Sequence, residues 1–170
     1  LERQHLEASL LRVVEPYLQG LMTLGRPAQG REALERLLEV APAHPEARRM
    51  AFLPALFSPA LMLIGERAVY QFMSWLAPDD YAGGLWHFHE RSGQPLFMSP
   101  DADKRFRIFC ETNGYMGEVS AEAAGIIATL FALSHLSFRH EVDQLSEAYM
   151  RLYGFAGDHP EAGEIFKAID

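Results

Sequence analysis

Two histidines, His87 and His89, are the first residues of the sequence whose type and spacing could do chemistry. They lie in the segment from Leu85 to Arg91, where apolar and polar residues alternate as in a strand. Histidines at i and i+2 of a strand point to the same side, as metal-binding pairs do, but a catalytic zinc ion needs three protein ligands. No Asp, Glu or His follows at metal-typical spacing nearby. We therefore expect a solvated strand face, with no metal and no other cofactor.

Nucleophilic catalysis has no stronger support. Cys110 alternates with Phe106 and Ile108, so it is predicted to be a buried structural thiol. The sequence has no G-x-S-x-G turn, and Gly83-Gly84 does not belong to a phosphate-binding loop. Glu118 is better explained as an exposed residue at a strand end than as a general acid. The sequence thus predicts no catalytic residue and no enzyme.

Short strands and one long helix are the elements that must position these residues. Three to four strands are predicted at about 85–119, and the turn signals Ser92-Gly93 and Asn113-Gly114 make their connections short enough to require antiparallel pairing. The helix at about 120–138 is apolar almost all round, which is typical of a helix buried at the centre of a fold. Further helices are predicted at about 45–51, 58–76, 142–153 and 160–169. The predicted fold class is α+β, with one small antiparallel sheet packed on the buried helix and on flanking helices.

Local signals add detail to this pattern. Ser58-Pro59 and Ser120 each predict the start of a helix, since serine is a favoured N-cap and proline a favoured first residue. Asp158 with Glu161 resembles a capping box. Gly125 lowers helix propensity by about 1 kcal/mol relative to alanine, so we expect it to allow close packing of the buried helix against the sheet.

The chain divides at residues 41–45, where two prolines interrupt the helical pattern. Residues 1–42 are predicted to form a helical N-terminal appendage, and residues 43–170 a main domain that folds by itself. An apolar stripe from Leu6 to Leu21 needs a cover, either the main domain or a second copy of the chain. The expected state is a monomer or a weak homodimer.

Composition excludes several classes of protein. The 170 residues are 49% hydrophobic and 22% charged, which is typical of a globular protein. A net charge of −8 argues against a nucleic-acid or membrane-surface binder that relies on positive charge. The single cysteine permits no internal disulfide and fits the cytoplasm, and no apolar stretch of about 20 residues predicts a membrane span. We therefore expect no direct nucleic-acid binding and no membrane association.

The acidic excess lies entirely in residues 51–170, which hold eight Lys/Arg and sixteen Asp/Glu, whereas residues 1–50 hold seven of each. A protein that imitates DNA needs dense rows of carboxylates and few bases. Asp79 and Asp80 are the only adjacent acids in the sequence. An ordinary acidic surface explains this charge better than DNA mimicry.

Six motifs are spread over residues 43–170. In chain order they are Arg49-Met50-Ala51-Phe52-Leu53-Pro54, Tyr81-Ala82-Gly83-Gly84-Leu85-Trp86, Asn113-Gly114-Tyr115, Gly117-Glu118-Val119-Ser120, Ala123-Ala124-Gly125-Ile126 and His159-Pro160-Glu161-Ala162. With these motifs the sequence resembles the antirestriction proteins of the ArdB/KlcA type, which plasmids and other mobile elements carry.

The resemblance implies a cytoplasmic, non-enzymatic inhibitor of type I restriction-modification enzymes, which protects incoming mobile-element DNA without imitating DNA. The implied partner is a host type I restriction-modification complex, contacted directly or indirectly. No residue role can be carried over from the family. Two other functions stay open from the residues alone: a metal-dependent enzyme that uses His87 and His89, and an adaptor that binds another cytosolic partner through its sheet face.

The predicted binding surface is the sheet face opposite the core. Alternation assigns to the core face Trp86, Phe88, Phe106, Ile108 and Cys110. The opposite face is predicted to carry His87, His89, Arg105, Arg107 and Glu111. Arginine can anchor a protein interface through its forked donors and flat face. An ordinary solvated sheet face remains the alternative.

Overall fold

The computed structural model of the chain describes residues 45–170 and the isolated positions 25, 26, 28, 29 and 32. The chain divides into two compact units, Leu1–Met62 and Leu63–Asp170. The predicted helical appendage at 1–42 lies outside the described residues except for those five positions. Its boundary with the domain at 43–170 stays a prediction.

Helix α1 (Pro45–Phe57) in the first unit is longer than the helix predicted to end near residue 51. Pro54 lies inside it, where proline removes one backbone hydrogen bond. Leu53 and Phe57, on either side of the proline, are completely buried. Their burial compensates for the missing hydrogen bond, so the helix continues past the point where the sequence predicted its end.

Ser58 does not cap the following helix, contrary to the prediction. It has a positive φ of 76°, and its buried hydroxyl has no hydrogen-bond partner among the described residues. An N-cap residue instead has an extended backbone and a side chain that accepts a hydrogen bond from the helix. Regular helix begins only at Met62, and α2 (Met62–Leu76) is therefore shorter than predicted.

Four strands follow in the second unit: β1 (Trp86–Arg91), β2 (Gln94–Pro100), β3 (Arg105–Cys110) and β4 (Tyr115–Ser120). The pairs β1–β2 and β3–β4 are antiparallel, as the short turns predict. The expected single sheet is corrected in one respect, because β2 and β3 do not pair and the hairpins form two separate two-stranded sheets.

Three helices complete the second unit: α3 (Ala121–Arg139), α4 (Asp143–Gly157) and α5 (Ala162–Ile169). Helix α3 contacts β2, β3 and β4, so it joins the two hairpins in place of hydrogen bonds between β2 and β3. Every residue of α3 from Ala123 to Leu130 is buried. The α+β class and the buried central helix are confirmed.

Ser120 caps α3 as predicted, with its Oγ accepting a hydrogen bond from the Ala123 N–H at 3.1 Å. By length and composition α3 is the one unbroken helix of the described chain that could cross a membrane. Its most apolar window is 61% buried within the fold, as expected for the core helix of a globular domain.

Alternation predicts burial well in β3 and less well in the first hairpin. Phe106, Ile108 and Cys110 are buried as predicted. Strand β2 is instead buried on both faces, and Trp86 and Phe88 of β1 are only half-buried. A strand that is covered on both sides no longer shows an alternating pattern.

Gly125 lies where α3 meets β2, which confirms the predicted close packing. A Cβ at this position would overlap the carbonyl oxygen of Met98 and would lie 2.6 Å from Ser99 Cα. Both are backbone atoms, so no side-chain rotation can relieve the overlap. One turn further along α3, the Met98 N–H donates to Thr129 Oγ1 at 3.3 Å.

We predict that Gly125→Ala destabilises the protein by about 1–3 kcal/mol, because it overpacks the contact between α3 and β2. The matched control is Gly154→Ala in α4, where an added Cβ would meet nothing within 4 Å. The control should be neutral or stabilising, by about 0.4–1 kcal/mol at most. Urea unfolding followed by circular dichroism measures both. An unchanged or higher stability for Gly125→Ala would contradict the close packing.

Candidate functional site

The structure separates the five residues of the predicted binding face. His87, His89 and Arg105 line one open depression of about 580 Å³. Arg107 is held by the loop before β1, and Glu111 lies in the turn between β3 and β4. A single sheet would have placed all five side by side, whereas two separate hairpins do not.

His89 is the more buried of the two histidines. Its ring stacks on Phe97, its partner across the hairpin, with centroids 4.2 Å apart and planes 6° apart. Its Nε2 lies 2.7 Å from Ser99 Oγ. Burial, assisted by the neighbouring His87 and opposed by Glu122, lowers the pKa of His89 below its ordinary value. The ring is therefore neutral near pH 7 and is held in place as part of the hairpin.

His87 lies on the same side of β1 as His89, as predicted, but this side borders the start of α3. Its exposed ring places Nε2 3.1 Å from Asp101 Oδ1. The centroids of the two imidazoles are 6.2 Å apart. Among the residues that the structure describes, no group of three or more His, Cys, Asp or Glu side chains could hold a metal ion. The depression is lined by hydrogen-bonding and charged side chains.

Arg107 is fixed by Asp80. The Asp80 carboxylate accepts hydrogen bonds from the Arg107 backbone N–H at 2.8 Å and from its guanidinium at 2.9 and 2.8 Å. These hydrogen bonds hold the pKa of Asp80 well below its ordinary range. A forked arginine–carboxylate pair has a fixed geometry, so Arg107 attaches the loop before β1 to β3.

Arg105 attaches the second hairpin to the C-terminal helix. One nitrogen of its guanidinium lies 2.9 Å from Glu161 Oε1 and donates to the Glu118 carbonyl oxygen at 2.6 Å. Glu161 also accepts hydrogen bonds from the backbone N–H and the hydroxyl of Ser120. Because Ser120 caps α3, the Glu161 carboxylate connects β3, the end of β4 and the start of α3.

The predicted capping box of Asp158 and Glu161 does not form. Asp158 is the C-cap of α4, and Glu161 precedes α5 without a side-chain hydrogen bond to it. The carboxylate of Glu161 binds Ser120 and Arg105 instead. Hydrogen bonds from Ser120 and from the charged Arg105 guanidinium occupy both carboxylate oxygens of Glu161, so this side chain does not cap α5.

The motif Asn113-Gly114-Tyr115 holds the other end of α5. Asn113 Nδ2 donates to the carbonyl oxygens of Lys167 at 3.1 Å and Ala168 at 3.2 Å. These belong to the last turn of α5, where carbonyl groups lack partners within the helix. The Tyr115 hydroxyl donates to Glu164 Oε2 at 2.7 Å. An added Cβ at Gly117 would lie 2.5 Å from Tyr115 Cζ, so glycine leaves the space for this ring.

Sequence reasoning missed this junction between the second hairpin and α5. Its hydrogen bonds join residues 41 to 56 positions apart, for example Ser120 with Glu161 and Arg105 with Glu161. No local pattern in one sequence carries such pairings. The Asn113-Gly114 turn was the only visible signal, and it predicts the hairpin without its helix.

The motif from Tyr81 to Trp86 holds β1 on α2. Trp86 Nε1 donates to the Tyr81 hydroxyl at 3.0 Å, and its ring lies 5.0 Å from that of Tyr70. Gly83 and Gly84 have φ values of 92° and 136°, which glycine adopts without strain. This backbone allows the loop to bring Tyr81 back onto Trp86.

Two further candidate residues, Cys110 and Glu118, have partners within the fold. The Cys110 thiol is buried as predicted, with Sγ 3.1 Å from Thr112 Oγ1, so it is not available as a nucleophile. Glu118 is exposed and lies 3.2 Å from the Arg105 guanidinium. Within residues 45–170, the side chains proposed for chemistry are therefore occupied in packing or ion pairs.

The chain is similar to several known proteins. A family model described as antirestriction protein matches residues 79–170. An antirestriction protein KlcA of Escherichia coli is 43% identical over 129 residues, which cover 74% of this chain and 90% of KlcA. A second KlcA of Escherichia coli is 44% identical over 131 residues, or 74% of this chain and 89% of that protein.

A solved structure of the KlcA and ArdB proteins matches this fold with a TM-score of 0.66 and 45% sequence identity. The match covers 75% of this chain and 92% of that chain. Those proteins are described as having a novel fold and antirestriction activity against Type I DNA restriction systems in vivo but not in vitro.

We predict that Glu161→Gln lowers stability at pH 7 by about 1–3 kcal/mol, because charge-assisted hydrogen bonds to Ser120 and Arg105 are lost. Burial raises the pKa of Glu161, but the hydrogen bonds from Ser120 and Arg105 hold it below its ordinary 4.5. The charged form therefore stabilises the fold above pH 4.5, and this contribution is lost as the pH falls below that value.

Melting temperatures between pH 3 and pH 7 test this assignment. Below pH 4.5, the melting temperature of Glu161→Gln should fall less steeply with decreasing pH than that of the wild type. It should not vanish, because the pKa values of Asp80 and Glu164 are also lowered by their hydrogen-bond partners. Glu147→Gln, an exposed change in α4, is the control. A pH profile of Glu161→Gln identical to the wild type would contradict the junction.

Proposed function

The chain belongs to the antirestriction proteins of the ArdB/KlcA type, and we propose that it inhibits type I restriction-modification enzymes in the cell and protects incoming mobile-element DNA. The observation that carries this proposal is the 43% identity to KlcA over 90% of the length of that protein. The structural relative described as active against Type I systems supports the same target class. The proposed location is the cytoplasm, where such enzymes meet incoming DNA.

The proposed mode of action is binding without catalysis. The buried Cys110 and the paired carboxylates around Arg105 support it, because they provide no free nucleophile and base. Activity of KlcA and ArdB in vivo but not in vitro is the behaviour of an inhibitor that needs another cellular component. We therefore propose that this chain acts on the host type I complex directly or through a further host factor.

Protection without DNA mimicry is part of the proposal. The carboxylates of Asp80, Glu118 and Glu161 are each paired with an arginine, and that of Glu164 with Lys167. Paired carboxylates do not present the regular row of unneutralised charge that a DNA backbone has. At these four positions the acidic surface is thus neutralised locally.

The depression lined by His87, His89 and Arg105 remains a proposed contact surface for a partner. It is the part of the predicted binding face that the fold keeps together. Charge reversal of Arg105 or Arg107 is a poor test of it, because both arginines hold the fold through Glu161 and Asp80. His87, which is exposed, can be changed without breaking such a junction.

Expression of the full chain should raise the plating efficiency of unmodified phage on a host with a type I restriction system. A host with a simple type II enzyme should show little change, because the proposed target is the type I complex. Phage already modified by the host is the control for general effects on plating. Failure to raise plating on several type I hosts would contradict the proposed function.

Neutralising exposed acids should leave protection intact. The variant combines Asp79→Asn, Glu90→Gln and Glu147→Gln, which are exposed. It leaves Asp80 unchanged because Asp80 holds Arg107, and Asp101 and Asp103 because they line the depression beside His87. Phage plating measures protection, and the melting temperature shows that the fold is kept. Loss of protection by a folded variant would mean that the acidic surface imitates DNA after all.

A further inference from the structure

An apolar groove of about 880 Å³ runs along α2 and α3 in the second unit. Residues of α2 from Ile64 to Trp75 line it at helical spacing, opposite residues of α3 from Phe131 to Phe138. The rings of Phe72 and Phe131 stack with centroids 5.5 Å apart, and Trp75 meets Phe131 edge-on at 5.9 Å. These aromatic contacts fix the shape of the groove.

Exposed apolar side chains are concentrated at this groove. Phe138 is 88% exposed, Ile64 51%, Leu63 38% and Trp75 36%. They are four of the nine large apolar side chains that are exposed in the described part of the chain. Scattered exposed apolar residues are normal, but a contiguous group of them marks an interaction surface.

The charge of the groove is opposite to that of the domain. Its lining includes Arg67, Arg139, His135 and His140, and no described Asp or Glu contributes to it. Acids outnumber Lys and Arg sixteen to eight over residues 51–170. The lining of this groove is thus basic, although residues 51–170 as a whole are acidic.

Arg67 and Arg139 differ from the other Lys and Arg side chains of residues 51–170, since neither guanidinium has an ion pair, a hydrogen bond or an aromatic ring as a partner within the described residues. The others have partners: Arg91 lies over Phe155, Lys104 and Arg107 bind Asp80, Arg105 binds Glu161, Arg151 binds the Pro95 carbonyl, and Lys167 binds Glu164. Both unpaired arginines therefore lie at the same groove.

We propose that this groove binds an acidic amphipathic helix of a partner protein. The apolar face of that helix would pack on Trp75, Phe131 and Phe138, and its carboxylates would pair with Arg67 and Arg139. Forked guanidinium groups suit carboxylates, and a groove between two helices suits the ridges of a third. The stripe from Ile64 to Trp75 is about 17 Å long at 1.5 Å per residue, which is room for about three helical turns.

A second copy of the chain fits the groove poorly. Two-fold packing of this surface would bring the arginines of one copy against those of the other, and like charges across an interface are unfavourable. The charge of the lining therefore favours an acidic partner of different sequence. The assignment of this partner to the restriction pathway rests on the proposed function. The chemistry of the groove is independent of that function.

Two designed peptides test the proposal on the full chain. Both are helical and about 15 residues long, or four turns, with leucines on one face. One carries glutamates along both flanks, and the other carries lysines at the same positions. The Trp75 indole N–H in two-dimensional NMR spectra reports binding. The glutamate peptide should bind, and the lysine peptide should bind at least about tenfold more weakly, since tenfold is only 1.4 kcal/mol.

Charge reversal of the groove makes the test specific. Arg67→Glu with Arg139→Glu should reverse the preference, so that the lysine peptide binds more tightly. The control, Arg91→Glu with Lys167→Glu, makes the same change in net charge at exposed positions outside the groove. It should bind as the wild type does. The melting temperature of the groove variant should stay close to that of the wild type. The control loses the exposed ion pair of Lys167 with Glu164 and the contact of Arg91 with Phe155, so it is required only to stay folded at the temperature of the binding measurement.

Several results would overturn the proposal. The proposal is wrong if neither peptide binds, if both bind equally, or if charge reversal of Arg67 and Arg139 does not change which peptide is preferred. A change of oligomeric state in Phe138→Asp would make the groove an interface between copies.

Phage plating separates the groove proposal from the proposed function. Protection by the wild type and not by the reversed variant links the groove to antirestriction, whereas no protection by the wild type contradicts only the proposed function.

Discussion

The backbone contact between α3 and β2 is the constraint on which the rest of the second unit depends. Because Gly125 has no side chain, α3 approaches the backbone of Met98 and Ser99 at a distance that any other residue would prevent. Thr129, one turn later, satisfies the Met98 N–H from the same face of the helix. The first hairpin is therefore fixed directly on the buried helix. His87 and His89 of this hairpin therefore lie beside the N-terminus of α3, and β2 is buried on both faces.

The second hairpin reaches α3 by a different kind of contact. Its strands do not pair with those of the first hairpin, so hydrogen bonds between strands do not orient one hairpin against the other. The Glu161 carboxylate orients the second hairpin instead, because it binds both Arg105 of β3 and Ser120, the N-cap of α3. Burial of the apolar helix α3 stabilises the fold, and the polar junction fixes the orientation of the second hairpin against it. The motif residues Asn113, Tyr115 and Ser120 thus have structural roles at this junction.

The sequence predicted what depends on neighbouring residues. Helix α3 was expected at about 120–138 and spans Ala121–Arg139, because its apolar residues and its serine cap are local signals. Strand alternation tells which side chains share a face, but it does not tell which strand edges pair, so the two separate hairpins could not be predicted. Arg107 was placed correctly on the exposed side of β3, yet its partner Asp80 lies 27 positions earlier in a loop. The predicted binding face was dispersed by such long-range pairs.

The same pairing of charges explains why recognition can be local on a protein of net charge −8. Most of the basic side chains of the second unit are used inside the fold, and the two that are left over face an apolar groove. An acidic partner would be repelled by the net charge only at long range, and at physiological salt that field is screened within about 8 Å. Inside this distance the unpaired guanidinium groups and the exposed aromatic rings determine the interaction. Burial of apolar surface would then provide the affinity, and the arginines would fix which way the partner lies.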